Sequence, residues 1–306
     1  MILMGVVNLT PDSFREETRA MTPAAIKRRV KALLGRGCGI IDFGAVSTRP
    51  GAADVPIETE WQRLEPALRL YRIGGEVGVR NGGIAPETHA TLGTVRGGTV
   101  NEVNGGVERA GSPKISDFWG ATSETVSGAI PPVSIDTTSA EIVRRTYGRI
   151  GRFIVNDISA GEDDPAMLPT VAELGLPYIA MHKRGNPRSM DALTDYPQGV
   201  VKAVDEYFEQ FAEKAEKLGI KEWILDPGFG FAKTAEQNWE LLENLPVFRH
   251  FGRPILVGVA DKRFTRTPNP FANCSSSATT TDTQAIGSQY AERLAEERGA
   301  DILRIH

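Results

Sequence analysis

Eight strand-length apolar runs, seven amphipathic segments alternating with them, and polar residues closing every run predict an α/β fold, a (β/α)8 TIM barrel. The runs are Ile2 to Asn8, Gly39 to Gly44, Val133 to Thr137, Phe153 to Ile158, Tyr178 to His182, Trp223 to Asp226, Ile255 to Val259 and Ile302 to His306. Most are continuously apolar rather than alternating, as expected of strands covered on both faces. Eight parallel strands are the number that closes such a barrel.

Helical patterns lie between the runs at Pro23 to Leu34, Glu58 to Tyr71, Ala140 to Tyr147, Pro165 to Leu174, Val200 to Leu218, Ala235 to Phe248 and Thr281 to Arg298. In the fifth, Val201, Val204, Phe208, Phe211, Ala215 and Leu218 recur at spacings of three and four, which predicts its buried face. Seven helices for eight strands leave the eighth helix missing, because the sequence stops at His306. Between the second helix and the third strand, residues 72–131 carry thirteen of the 32 glycines and no sustained period. Paired glycines resist any single conformation, so this stretch is expected to be a flexible insertion rather than a small β-rich subdomain. Barrel strands flank it on both sides, and residues 1–306 are read as a single domain.

The composition, 41% hydrophobic and 24% charged with a net charge of −4, is that of an ordinary globular protein. No basic run stands out, which disfavours a nucleic-acid partner, and the apolar stretches are too short to span a membrane. The stretch from Met1 to Val7 lacks the charged leader of a signal peptide, so a cytoplasmic location is expected. Cys38 and Cys274 form no CxxC pair, so neither a disulfide nor a zinc site is indicated, and both are read as packing residues.

In a β/α barrel the reactive groups project from the C-terminal strand ends. Here those ends read Asn8-Leu-Thr-Pro-Asp12, Ser47-Thr-Arg-Pro-Gly51, Asp136, Asn156-Asp157, His182, Asp226, Lys262, and Arg304 with His306. Any one Asp or Asn could be a cap or a turn former, but eight ends behaving alike point to one site. Carboxylates and amides facing one mouth suit a flat heterocycle with several donors and acceptors. Arg49, Arg304, His306 and Lys262 suit a phosphorylated anion. His89 and His250 are read as solvated, and His182 as packing or hydrogen-bonding beside the pocket rather than acting as a base. Gly228 and Gly230 match no dinucleotide fingerprint and would let the backbone approach a ring.

At these same residues the sequence resembles the dihydropteroate synthases of the pterin-binding enzyme family. The matching segments, in the family's order, are Met4 to Phe14, Ser47 to Ala52, Ser134 to Thr137, Asn156 to Ser159, Met181-His182 with Arg184-Gly185, Asp226 to Thr234, and Arg304 to His306. The resemblance implies a transferase, in which the amine of p-aminobenzoate displaces pyrophosphate from 6-hydroxymethyl-7,8-dihydropterin pyrophosphate. It implies that Asp136, Asn156, Met181, Asp226 and Lys262 hold the pterin, with Asp226, Lys262, Asp136 and Asp12 serving catalysis. Arg49, Arg304 and His306 would steady the pyrophosphate, and Thr48, Arg49, Pro50 and Phe231 would border the aminobenzoate. Asn8 would bind Mg²⁺, and a homodimer is a possible assembly, since relatives commonly pair through helices near the end of the barrel.

Three departures from the family's pattern stand out. The family reads Ser-Arg-Lys where this chain has Ala260-Asp261-Lys262, and Val46 stands where many relatives carry Glu. The charge reversal at Asp261 and the missing eighth helix keep open a pterin-binding barrel impaired in catalysis. A pterin-dependent methyltransferase of the related barrels is a further alternative, against which the Thr10-Pro-Asp-Ser-Phe14 loop and the Arg304-Ile-His306 ending speak.

Overall fold

The computed structural model describes residues 1–10, 22–46, 55–75, 131–185, 189–271 and 283–306. In chain order these residues form β1 (Ile2–Asn8), α1 (Pro23–Gly35), β2 (Cys38–Gly44), α2 (Ile57–Gly75), β3 (Val133–Asp136), α3 (Ala140–Ile150), β4 (Ile154–Asp157) and α4 (Met167–Leu174). They continue with β5 (Tyr178–Met181), α5 (Val200–Leu218), β6 (Trp223–Asp226), α6 (Ala235–Glu243), β7 (Leu256–Val257), α7 (Thr283–Glu297) and β8 (Ile302–Ile305). Most of the glycine-rich stretch expected at 72–131, together with Asp12, Thr48, Arg49, Pro50, His89 and Cys274, lies outside the described residues.

The strands are parallel and ordered β6-β5-β4-β3-β2-β1-β8-β7, and a Leu225–Ile255 bridge joins the two ends of that order into a ring. Successive side chains on a strand alternate between its faces, and this period of two decides what fills the barrel. Met4, Ile40, Ile154, Ile179, Ile224, Leu256 and Ile302 form their own buried cluster, one residue from each of seven strands. Burying such side chains contributes about 1.5–3 kcal/mol each, so this apolar plug is a floor rather than a channel. The outward-facing set, among it Ile41, Phe43, Ile135, Val155, Tyr178, Ala180, Trp223 and Leu225, packs in a larger cluster that also takes side chains from the surrounding helices.

Local chemistry sets the helix ends. Thr22 caps α1 by accepting from the Ala25 N–H at 3.2 Å, with Pro23 in the first turn where its missing N–H costs nothing. Thr234 and Gln237 form a reciprocal capping box at the start of α6. That helix stops at Glu243 rather than at Phe248, because Pro246 lacks the N–H that the ladder needs, and a 3-10 turn from Leu245 to Phe251 follows. On α5 the buried face is Val200, Val204, Phe208, Phe211 and Ala215. Leu218 is 41% exposed, since it lies at the last residue before the Gly219 cap.

Candidate functional site

One pleat period above the apolar plug, the strands change character. Asp42, Asn156, Met181, Asp226 and Arg304 each stand two residues beyond a plug residue and therefore face the same interior. Gly258 occupies the matching place after β7, where a Cβ would come within 2.7 Å of Arg304 Nη2. The absent side chain there makes room for the guanidinium. Asp136 closes β3 beside Gly44 and keeps part of its surface open to the mouth.

The polar groups of this layer hold one another in fixed orientations. Asn156, fully buried, donates through Nδ2 to Asp42 at 3.2 and 3.4 Å, which turns its Oδ1 away from Asp42 with no protein partner among the described residues. Asp226, 1% exposed, accepts at Oδ1 from the Gly228 N–H at 2.8 Å. Its Oδ2 lies 3.4 Å from Arg304 Nη1 and likewise makes no hydrogen bond among the described residues. Buried acceptors without partners are rare in folded proteins, and two on one pocket wall mark where a donor-rich ligand would sit.

An apolar wall completes the cavity. Ile158, Met181, Met190, Phe231 and Ala232 form a separate buried cluster. Lys262 Nζ stands 4.9 Å from the centroid of the Phe231 ring, a cation over an aromatic face.

The charges tune one another. Burial, then Asp42, pushes the Asp136 carboxyl well above the usual range, with Arg304 opposing and Glu60 and Asp157 adding. Burial also raises Asp42, against the pull of Arg304 and its hydrogen-bond donors. Burial and the neighbouring Arg304 lower the Lys262 ammonium to about 8, against the attraction of Asp226 and Asp136.

Of the residues expected at the site, the structure brings Asp136, Asn156, Met181, Phe231, Asp226, Lys262 and Arg304 together. Asn8 ends β1, half-buried, in register with Gly44. His306 follows β8, exposed, within electrostatic reach of Arg304, Lys262 and Asp261. Asp157 turns out of the pocket, because the pleat points it opposite to Asn156. It accepts instead from the Ser159 N–H and hydroxyl, the Gly161 N–H and the Tyr178 hydroxyl. His182 is 3% exposed and hydrogen-bonds Lys233 Nζ through Nδ1 at 3.0 Å. His250 is exposed and paired with Asp205 at 2.7 Å.

Three residues escaped the sequence reading. Asp42 sits in mid-strand, and only the period of two from Gly44 and Ile40 could have pointed to it. Glu60 is 5% exposed near Thr137, with burial raising its carboxyl. Lys233 lies in the quoted segment Asp226 to Thr234 without an assigned part.

The turn after β7 answers the question raised by Asp261. Its backbone is left-handed at φ 57, its N–H donates to Ser288 Oγ at 3.0 Å, and its charge acts on Glu292 and His306. Arg263 does not replace a cation at the mouth. It reaches outward to Asp191 at 3.1 Å with its side chain 74% exposed.

Taken together, the strand ends gather two buried acceptors with no hydrogen bond among the described residues, an apolar cluster, and the cations Lys262 and Arg304, the latter ion-paired with Asp226. The family model described as pterin binding enzyme matches residues 4–80 and 121–306. The chain is 30% identical over 310 aligned residues to a dihydropteroate synthase of Synechocystis sp., covering 99% of this chain and 84% of that protein. Among solved structures, the Xanthomonas albilineans dihydropteroate synthase with 4-aminobenzoic acid is 27% identical at a TM-score of 0.68, covering 100% of this chain and 87% of that one. The Yersinia pestis dihydropteroate synthase in complex with a sulfonamide drug shares the fold at a TM-score of 0.71 and 24% identity, covering 100% and 88%.

Proposed function

The chain belongs to the pterin binding enzyme family, and from that premise we propose that it is a transferase of folate biosynthesis with dihydropteroate synthase activity. It condenses 6-hydroxymethyl-7,8-dihydropterin pyrophosphate with p-aminobenzoate, releasing pyrophosphate and dihydropteroate. The two buried acceptors that make no hydrogen bond among the described residues, Asp226 Oδ2 and Asn156 Oδ1, carry this reading.

In this mechanism Asp226 and Asn156 accept hydrogen bonds from the aminopyrimidine edge, and Met181 packs against a flat face of the ring. As the carbon–oxygen bond to pyrophosphate breaks, positive charge grows on the pterin. The Asp226 carboxylate, already in place in a water-poor cavity, stabilises it. Asp136, its carboxyl raised, offers a hydrogen-bond donor to the ring instead of a second charge. Lys262 and Arg304 face the departing anion, and we assign His306 and Arg49 to the same task. Thr48, Arg49 and Pro50 would border the aminobenzoate with Phe231, and Asp12 would serve closure of the first loop over the reacting atoms. The amine nucleophile needs little activation, so no buried base is required.

We further propose that Asn8 binds Mg²⁺. Its carboxamide is a hard oxygen donor at the mouth of the barrel, and Mg²⁺ accepts one or two protein ligands while keeping phosphate oxygens and water. Asn8 would hold such an ion together with phosphate oxygens of the substrate and water. When bound it would neutralise charge on the leaving group. No helix among the described residues is long and apolar enough to cross a membrane. A cytoplasmic enzyme of one domain, assembled as a homodimer and acting on small molecules alone, completes the proposal.

Pyrophosphate release with both substrates and Mg²⁺ tests the function, and chelation of the metal should abolish it. A second reading, a barrel that binds pterin without turnover, draws on Asp261 standing beside His306 with no cation from Arg263 to offset it. Tight pterin binding with no pyrophosphate release at saturating aminobenzoate would establish that second reading and overturn the first.

The Lys262 ammonium gives a pH signature. Its pKa, lowered to about 8, leaves the cation present below that pH and lost above it. The pterin kcat/KM should therefore fall as pH rises through about 8, and Lys262→Met should remove this limb along with most of the activity. An unchanged limb in that variant would remove Lys262 from the mechanism.

A further inference from the structure

Lys233 takes no part in the steps above, yet it is almost wholly enclosed, at 9% exposure. Its Nζ lies 3.0 Å from each of three acceptors, Gly228 O, Phe231 O and His182 Nδ1. An ammonium has three N–H donors and a neutral amine has two, so the arrangement suits the charged form. His182 must then accept at Nδ1 and carry its single proton on Nε2. Burial first, then Lys233 and Arg184, hold its imidazole well below the usual range, which keeps it neutral. Tyr207 packs edge-on against the ring at 4.9 Å and fixes its plane.

The segment that Lys233 spans is strained. Gly228, Gly230 and Ala232 have φ values of 70, 80 and 50, all left-handed, and the third is not a glycine. Such backbone persists only where its surroundings over-determine it. Its other ties are the Gly228 N–H to Asp226 Oδ1 at 2.8 Å and the Gly230 N–H to Asn238 Oδ1 at 2.7 Å. The first of these occupies Oδ1 of Asp226 and leaves Oδ2 for the pocket. The same turn sets Phe231 against Lys262.

We infer that Lys233 is a positioning residue whose ammonium, with neutral His182 as its third acceptor, locks the 228–232 turn in the strained form that presents Asp226 Oδ2 and Phe231 to the substrates. Its kinetic consequence rests on the function proposed above; its structural content does not. The charged or titratable groups facing the ammonium are Asp226 at the end of β6, Lys262 after β7, and Arg184 and His182 after β5. Burial and the two cations lower Lys233 to about 7, with Asp226 opposing, so the locking ammonium is present below that pH and its loss adds a fall in kcat/KM near pH 7, distinct from the Lys262 limb near 8.

The decisive measurement is ¹⁵N NMR of the full chain labelled at histidine, of which the sequence has four. Below pH 7, where the Lys233 ammonium is present, His182 should appear as the neutral Nε2–H tautomer and stay neutral well below the usual histidine range, and Lys233→Met should shift its Nδ1 resonance toward that of an unbonded imine nitrogen. A protonated His182, or the Nδ1–H tautomer, at pH 7 would overturn the inference. In the pyrophosphate assay Lys233→Met should raise the pterin KM about tenfold and lower kcat by a similar factor, as loss of hydrogen bonds to a charged group predicts. His182→Leu should follow it, whereas His182→Asn, which restores an acceptor, should recover most of that loss. Equal kinetics for Leu and Asn at 182 would also count against the lock. Should Lys233→Met not fold, the tautomer in the unaltered chain and the His182 pair decide the matter. Should the unaltered chain release no pyrophosphate, the tautomer and the calorimetric pterin affinity of the same variants still test the lock, so the two failures remain distinct.

Discussion

Asp226→Asn should lower the pterin kcat/KM by about a thousandfold while leaving the barrel folded. The carboxylate uses its oxygens for different purposes, Oδ1 for the Gly228 N–H at 2.8 Å and Oδ2 for the pocket, 3.4 Å from Arg304. A carboxamide has one acceptor. Whichever way it turns, its NH₂ must face either the Gly228 N–H or the amino edge of the ring, so a donor meets a donor. Losing a charge-assisted hydrogen bond costs about 1.5–3 kcal/mol. Removing the counter-ion of the nearby Arg304, whose side chain is 16% exposed, adds to that. Charge growing on the pterin also loses its partner in the transition state, and a total near 4 kcal/mol corresponds to about three powers of ten. Steady-state kinetics give the ratio, and near-ultraviolet circular dichroism confirms that the packing survives. A loss of less than tenfold would take Asp226 out of the mechanism.

The strand tips were legible because barrel geometry and sequence order coincide there. A polar residue after an apolar run must lie at the mouth, and Asp136, Asn156, Asp226 and Arg304 stand where that rule puts them. What the rule cannot supply is the direction of a side chain next to a strand end. Asn156 and Asp157 are neighbours in sequence, yet one faces the pocket and the other is spent on the turn after β4. Partners distant along the chain were equally hidden. Asp42, which orients Asn156 from 114 positions away, lies within a run that reads as plain core. Lys233 looks like an ordinary solvated lysine until the turn folds back over it. Arg263 is the reverse case, a cation beside Lys262 in sequence that the 3-10 turn at 263–266 directs to the surface. Helix ends failed where a single proline decided them, as at Pro246. The 72–131 insertion lies largely outside the described residues.

Gly228→Ala should be among the most damaging substitutions available, although it adds one methyl group. Its φ of 70 is left-handed, and a Cβ built there would lie 2.0 Å from the carbonyl oxygen of His182. That oxygen cannot yield readily, because the His182 N–H continues the β5–β6 ladder by donating to the Asp226 carbonyl at 2.9 Å. The turn must move instead, pulling the Gly228 N–H from Asp226 and the Gly228 and Phe231 carbonyls from Lys233. Backbone strain of about 1 kcal/mol plus lost buried hydrogen bonds gives a destabilisation of at least about 3 kcal/mol. For a chain of this size that lowers Tm by about 5–10 °C. Gly219→Ala is the matching control. Its backbone is left-handed at φ 75 and ψ 23, but nothing lies within 4 Å of the new Cβ, so only the conformational cost of about 1 kcal/mol applies. Differential scanning calorimetry of the two variants separates steric from conformational effects. If both lose the same few degrees, close approach of the turn to His182 is not what requires glycine at 228, and the account of how the site is held would have to change.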